Sequence, residues 1–328
     1  MNHINYISKD RILELTNQRE GEVKIGENID VLDDIKNLTD KPQKFVLFGI
    51  PEDIGVFANR GQRGTQHMWE SFLSVFLNMQ ENDYNSSADV VILGEIDCQA
   101  EIEDFKTLDK TNKDYYLFLG NMVETIDRKV ETTVSQVFAA DKIPIVIGGG
   151  HNNAYGLIKG FYNAFDTALN VLNIDAHTDL RKTNHRHSGN GFSFALDEGL
   201  INKYFMFGIQ KPYTPQYIYD YIENKSNIEG VFLEDMLHYN PMEKLGKLKY
   251  GINFLIDHFG LEIDCDSIEN FNTSAMTNSG FTINEMRNFI NILKKSGVRY
   301  VHFCEGIPTE NKLTAKALSY FVADFVRV

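Results

Sequence analysis

From Lys44 onward, short apolar runs of strand length alternate with longer stretches in which apolar residues return every three or four positions. The runs predict strands at 45–49, 90–93, 144–147, 169–174, 204–209, 231–233, 259–263 and 300–303. The stretches between them predict amphipathic helices at 66–79, 115–140, 152–165, 241–257, 282–295 and 312–325. Strand and helix in alternation argue for a parallel sheet with crossover helices, and both a doubly wound sheet and a barrel fit eight such units. In either arrangement ligands gather at the carboxyl ends of the strands, where the connecting loops converge. Residues 1–42 are polar and irregularly patterned, with a short helix predicted near 30–38, and read as an arm or cap. No Pro/Gly/Ser-rich linker and no repeat divides residues 43–328, which are expected to form a single domain.

Composition narrows the partner. The 328 residues include 32 Lys and Arg against 46 Asp and Glu, a formal charge of −14 that argues against a nucleic-acid or anionic-membrane surface. A small molecule is the expected partner. Cys98, Cys265 and Cys304 are far apart among apolar neighbours, which predicts buried free thiols in a reducing compartment, hence a cytoplasmic location. No signal-peptide run is seen at the start, and no stretch has the ~20 uncharged apolar residues of a membrane span.

Three strand ends carry candidate chemistry. After the run ending at Ile147 come Gly148, Gly149, Gly150 and His151, flexible residues that deliver an imidazole to a strand's carboxyl end. A triple glycine could also cradle a phosphate, but neither the Lys-Ser/Thr of a P-loop nor Gly-x-Gly-x-x-Gly is present. The run 169–174 leads into Asp175, His177 and Asp179, which share one face of an extended backbone. The run 259–263 ends in Asp264 and Asp266, like charges that repel unless a cation neutralises them or one is protonated. Two imidazoles and four carboxylates without a thiolate pair favour a hard to intermediate ion such as Mn²⁺ over structural zinc. Six ligands exceed one tetrahedral ion and suit two ions sharing carboxylates, an arrangement used for hydrolysis. Glu305, ending the last apolar run, is a candidate for a cationic substrate group; His302 is expected to be structural.

Taken in order, Gly-Gly-Gly-His151, Asp175-Ala-His177-Thr-Asp179, Ser188-Gly189-Asn190, Asp264-Cys-Asp266 and Glu305 resemble the arginase, agmatinase and formimidoylglutamase family over residues 43–328. The resemblance implies a three-layer α/β/α fold with a mostly parallel eight-stranded sheet. It also implies a binuclear manganese centre, with His151 and Asp179 on one ion, His177 and Asp266 on the other, and Asp175 and Asp264 bridging. A homo-oligomer is implied as well.

Three features resemble the formimidoylglutamase branch: Gly150 before the metal histidine, Asp179-Leu180-Arg181, and Phe192 where arginases carry a histidine. Ser188-Gly189-Asn190 is closer to arginase, Glu262 replaces a small hydroxyl residue, and Asn272-Thr273-Ser274-Ala275-Met276 departs from the family's segment. The implied function is metal-dependent hydrolysis of the amidine C–N bond of N-formimidoyl-L-glutamate to L-glutamate and formamide. In that scheme Asp179 shuttles a proton and Glu305 holds the amidine. Arg181 pairs with a carboxylate, and Ser188 and Asn190 contact substrate. The alternatives are a guanidino hydrolase that releases urea, and a catalytically silent regulatory subunit of the same fold.

Overall fold

Side chains alternate across each strand, so a run buried on both faces feeds two separate cores. Leu47, Ile145, Ile147, Leu172, Ile174, Phe205, Phe207, Leu261, Ile263, Val301 and Phe303 face one core. Their neighbours Val46, Phe48, Val146, Val171, Tyr204, Met206 and Tyr300 face the other. The computed structural model describes residues 3–327. Its strands are β1 (Ile4–Tyr6), β2 (Asp30–Val31), β3 (Phe45–Gly49), β4 (Val90–Ile96), β5 (Ile143–Ile147), β6 (Leu169–Ile174), β7 (Ile201–Ile209), β8 (Ile228–Phe232), β9 (Phe259–Asp264) and β10 (Val298–Cys304).

Helices Met68–Phe76, Pro241–Leu255, Ile283–Leu293 and Leu313–Val326 supply the first core. Helices Tyr115–Ala139, Asn153–Phe165 and Gly191–Asp197 supply the second, completing the three layers. Each fully buried Phe or Leu in these layers contributes about 1.5–3 kcal/mol relative to an exposed one. Local signals set the helix starts: Thr282 and Glu285 form a reciprocal capping box, and Asn240 caps a helix whose first residue is Pro241.

The sheet has ten strands, two more than expected. Nine run parallel, eight of them in the order β4-β3-β5-β10-β9-β6-β7-β8 with β2 beside β4, and the extra two, β1 and β2, come from the first 42 residues. β1 pairs antiparallel with β4 opposite Gly94, where a Cβ would stand 2.1 Å from the Asn5 carbonyl oxygen, so only glycine admits the strand. The helix predicted near 30–38 is instead β2 followed by a 3₁₀ turn, Ile35–Asp40. Asp34 caps that turn through the Lys36 amide, and Val31 gains ladder pairing with Ile92 that a helix would forgo. Among the described residues no helix is long and apolar enough to cross a membrane.

Strand order decides where the site lies. β5, β10, β9 and β6 are sheet neighbours although their partnered positions lie 39–156 residues apart in the sequence, and Ile147, Phe303, Ile263 and Ile174 are cross-strand partners at one level. Whatever follows those four residues emerges side by side, with ~4.8 Å from strand to strand.

Candidate metal centre and active site

The residue that follows Ile174 is Asp175, and the one that follows Ile263 is Asp264. Glu305 comes two positions after Phe303, and His151 four positions after Ile147. The glycines make the last placement possible. Gly148 and Gly149 have φ of +89° and +73°, and a Cβ at Gly149 would lie 2.4 Å from the Asn153 amide nitrogen. Buried Glu52 then stitches the turn in place, accepting from the Gly150 N–H at 2.9 Å and the Asn153 amide at 2.7 Å, and on its other oxygen from the Ile54 and Gly55 N–H groups.

His151 Nδ1 stands 2.9 Å from Asp179 Oδ2, 3.1 Å from Asp264 Oδ2 and 3.3 Å from Asp175 Oδ2. One ligand atom from each of these four residues falls within 4.8 Å of the others, the reach of a single ion. The other oxygen of Asp175 faces His177 Nδ1 at 3.5 Å, and Asp266 Oδ2 lies 3.8 Å from the same nitrogen. The structure therefore brings all six sequence-predicted residues into two adjoining groups that share Asp175, with Asp264 Oδ1 accepting the Asp266 N–H at 2.7 Å.

Electrostatics in the absence of a cation are unfavourable. Burial and the neighbouring carboxylate Asp175 push Asp179 up; burial and Asp266 push Asp264 well up; burial raises Asp266 although His177 opposes it. Asp175 moves the other way, burial being outweighed by hydrogen bonding to His151 and His177. Burial opposes charge on His177, yet Asp175 brings it up to about 10. Four carboxylates packed this tightly need positive charge, and neither ring nitrogen of buried His151 completes a well-formed hydrogen bond. Unpartnered imidazole nitrogen beside three carboxylates fits a divalent ion, because its lone pair can then be used.

Asp179 and Glu305 both sit at left-handed φ, +50° and +60°, conformations that cost a non-glycine residue about 1–3 kcal/mol. Glu305 is 2% exposed, accepts the His151 N–H on Oε1 at 2.8 Å, and leaves Oε2 without a partner. Burial, reinforced by Asp266, raises its carboxyl to about 8. The unusual segment 272–276 supports these acids: the Ala275 N–H reaches Asp266 Oδ1 at 3.2 Å and the Ser274 N–H reaches the Glu305 carbonyl at 3.1 Å.

A cavity of about 190 Å³ opens over the cluster, lined among others by Asn59, Arg60, His177, Asp179, Arg181, Ser188, Tyr213, Asp264, Asp266 and Glu305. Arg181 is exposed at its edge, and the Ser188 hydroxyl accepts from the Asn59 amide at 3.1 Å. Asn190 does not line the cavity. Its oxygen accepts from Arg186 at 2.9 Å and the His187 N–H at 3.1 Å, and its nitrogen donates to the Lys182 and His185 carbonyls, so its amide is occupied in shaping the loop. Phe192 packs edge-on against the His151 ring, centroids 5.0 Å apart, and stacks on Tyr204.

Sequence reasoning missed two groups. Arg186, on the loop, binds Asp127 through two nitrogens and also the Asn152 carbonyl, tying the loop to the turn that carries His151. Behind His151, Glu262 accepts from Tyr300 Oη at 2.7 Å and faces His302 Nδ1 at 2.7 Å. Burial works against charge there, but His302 and His151 hold the Glu262 carboxyl down at about 2. The available signal was polar residues recurring at period two, Tyr300 and His302 on one face of β10, within otherwise apolar strands.

Comparison with known proteins adds an independent line. The model of the Arginase family matches residues 43–326. A formimidoylglutamase of Streptococcus pyogenes is 24% identical over 235 residues, 68% of this chain and 65% of the relative, so the chain spans a little under two thirds of that protein's length. Among solved structures, Trypanosoma cruzi formiminoglutamase with Mn²⁺₂ superposes with TM-score 0.74 at 18% identity, covering 93% of this chain and 98% of that one. Formimidoylglutamase from Bacillus subtilis gives TM-score 0.76 at 16% identity, covering 94% and 92%. At these identities the structural likeness speaks for the fold.

Proposed function

Because this chain belongs to the arginase family, we propose that it is a binuclear manganese hydrolase that cleaves the amidine C–N bond of N-formimidoyl-L-glutamate, yielding L-glutamate and formamide. The observation that carries the reading is the pair of adjoining ligand groups built on Asp175, with His151 unpartnered at both nitrogens. His151 and Asp179 would hold one ion and His177 and Asp266 the other, with Asp175 and Asp264 as ligands that both could use. Two such ions, when bound, supply Lewis-acid chemistry and bring the pKa of water toward neutrality.

The chain's own residues do the rest. Glu305 Oε2, buried and unpartnered on the cavity wall, takes an N–H of the cationic amidine. Asp179, on the cavity wall, carries a proton from the attacking water to the departing nitrogen, so that the amine leaves neutral. Arg181 at the mouth pairs with a substrate carboxylate, and the Ser188 hydroxyl beside it offers a further polar contact. Phe192 against His151 leaves no imidazole at that position for proton transfer.

The substrate is decided by a panel of N-formimidoylglutamate, arginine, agmatine and guanidinobutyrate with the Mn²⁺-loaded protein, scored for formamide and urea. Formamide from the first alone supports the reading. Urea from any of the others supports the guanidino-hydrolase alternative, which Ser188-Gly189-Asn190 favours. Turnover of none, with both ions bound, supports a silent subunit.

A further inference from the structure

Behind the His151 ring, on the side away from the cavity acids, a second carboxylate is buried. Glu262 is 0% exposed and its Oε2 lies 3.5 Å from His151 Nε2, the outer edge of hydrogen-bonding distance. It stands there because β9 and β10 are paired in register, with Glu262 opposite His302, and because Glu262 and Asp264 share one face of β9. Its two oxygens are separately engaged, Oε1 by the Tyr300 hydroxyl and Oε2 by His302 Nδ1, while His302 Nε2 faces the Gly148 carbonyl at 3.2 Å, in the turn that delivers His151. Glu262 is thus held by two partners, with Oε2 also turned toward His151.

An imidazole ligates a metal through one nitrogen only when the other carries the proton. His151 Nδ1 faces Asp175, Asp179 and Asp264, so the proton belongs on Nε2, and Nε2 faces Glu262. We infer that Glu262 is a positioning residue for the metal centre: it accepts the Nε2–H of His151, sets the tautomer and ring orientation, and makes Nδ1 a stronger ligand. The inference rests on the reading of His151 as a metal ligand. It assigns a purpose to the residue by which this chain departs from the family pattern, and to the buried Tyr300–Glu262–His302 network that holds it. The rival acceptor is the Cys304 sulfur, which shares the neighbourhood of His151 and Glu262.

The test is calorimetric titration of Mn²⁺ into metal-free wild type, Glu262→Gln and Cys304→Ala. Glutamine keeps the shape, with its amide nitrogen toward Tyr300 and a neutral oxygen in place of the carboxylate toward His302 and His151, so the metal-free melting temperature is expected to hold while the negative charge behind His151 is lost. The expected result is that one of the two ions binds about 10- to 100-fold more weakly to Glu262→Gln, the other much less affected, and that Cys304→Ala titrates as wild type. Unchanged affinity for both ions overturns the inference, as does an equal loss at both in step with a lower metal-free melting temperature, or the same loss in Cys304→Ala. Wild type that takes up no Mn²⁺ sinks the metal-centre reading itself, and this inference with it. Should the glutamine variant not fold, ¹⁵N-histidine NMR of Cd²⁺-loaded wild type gives the same decision. A His151 signal with its proton on Nε2, slow to exchange, supports the inference, and a proton on Nδ1 ends it.

Discussion

Removing the Asp127 carboxylate leaves the Arg186 guanidinium buried without its counter-charge. Arg186 and Asp127 are each 1% exposed, joined by Nε–Oδ2 at 2.9 Å and Nη2–Oδ1 at 3.2 Å. Breaking one side of such a pair costs about 3–5 kcal/mol. For a chain of this length that corresponds to a fall of about 6–10 °C in melting temperature, at roughly 2 °C per kcal/mol. The measurement is differential scanning calorimetry of the metal-free Asp127→Ala protein near neutral pH, where Asp127, which burial brings up to about 6 against the pull of Arg186, is ionised.

A second arm separates stability from function. Asp127→Leu with Arg186→Met removes both charges, which is often close to neutral, so melting should largely recover. The contacts from Arg186 to Asn190 and the Asn152 carbonyl are still lost, so the Arg181–Ser188 loop is untethered and KM should rise above that of wild type even though melting recovers. If Asp127→Ala melts within about 2 °C of wild type, the buried pair does not contribute the stability argued and the reasoning fails.

Asp264→Asn removes half the charge shared between the two ligand groups; bound Mn²⁺, read by elemental analysis after dialysis, should fall below two per chain and affinity should drop about 100-fold or more, whereas retention of both ions would contradict the bridging role. Arg181→Ala should raise KM for an acidic amidine about 10- to 100-fold, the worth of roughly 1.5–3 kcal/mol in charged hydrogen bonds, with kcat little changed; a fall in kcat alone would remove Arg181 from substrate binding. The pH dependence follows from Glu305 and His177. Glu305 rises from 4.5 to about 8 on folding, so from about pH 4.5 to 8 the folded protein keeps a proton that the unfolded chain releases. His177 rises from 6.5 to about 10, and its contribution is present below 6.5 and lost as pH climbs to 10. Metal-free protein should therefore lose stability as pH rises across these windows, while Mn²⁺, which competes with protons for the same cluster, should bind more tightly. A melting-temperature gain on Mn²⁺ addition that shrinks with rising pH would refute this.

Much of the site was legible in the residues. Apolar runs of strand length at 45–49, 169–174 and 259–263 marked strands that the fold buries on both faces, and the acids after Ile174 and Ile263 stood out because those runs led straight into them. Local chemistry also sufficed for the turn at Gly148 and Gly149, whose φ values L side chains rarely adopt. Weak local signals hid the rest. β1 and β2, three and two residues long, have no period to detect and exist only because the β4 edge offers unpaired backbone. Asn190 stands beside Ser188 in a motif read as substrate contact, yet its buried amide is drawn inward to Arg186, a partnership with a residue whose own counter-ion lies 59 positions upstream in Asp127.

The sequence by itself determined the inventory: which elements form, which ends carry acids and imidazoles, and that six such groups want cations. Only tertiary structure decided that β10 inserts between β5 and β9, the pairing that sets Glu305 against His151 and Glu262 against His302. The physical reason is that periodicity encodes which face of a strand is buried, but not which strand lies next to it. That choice is made by the packing of whole helices on both faces, and it converts separate strand ends into one charged pocket.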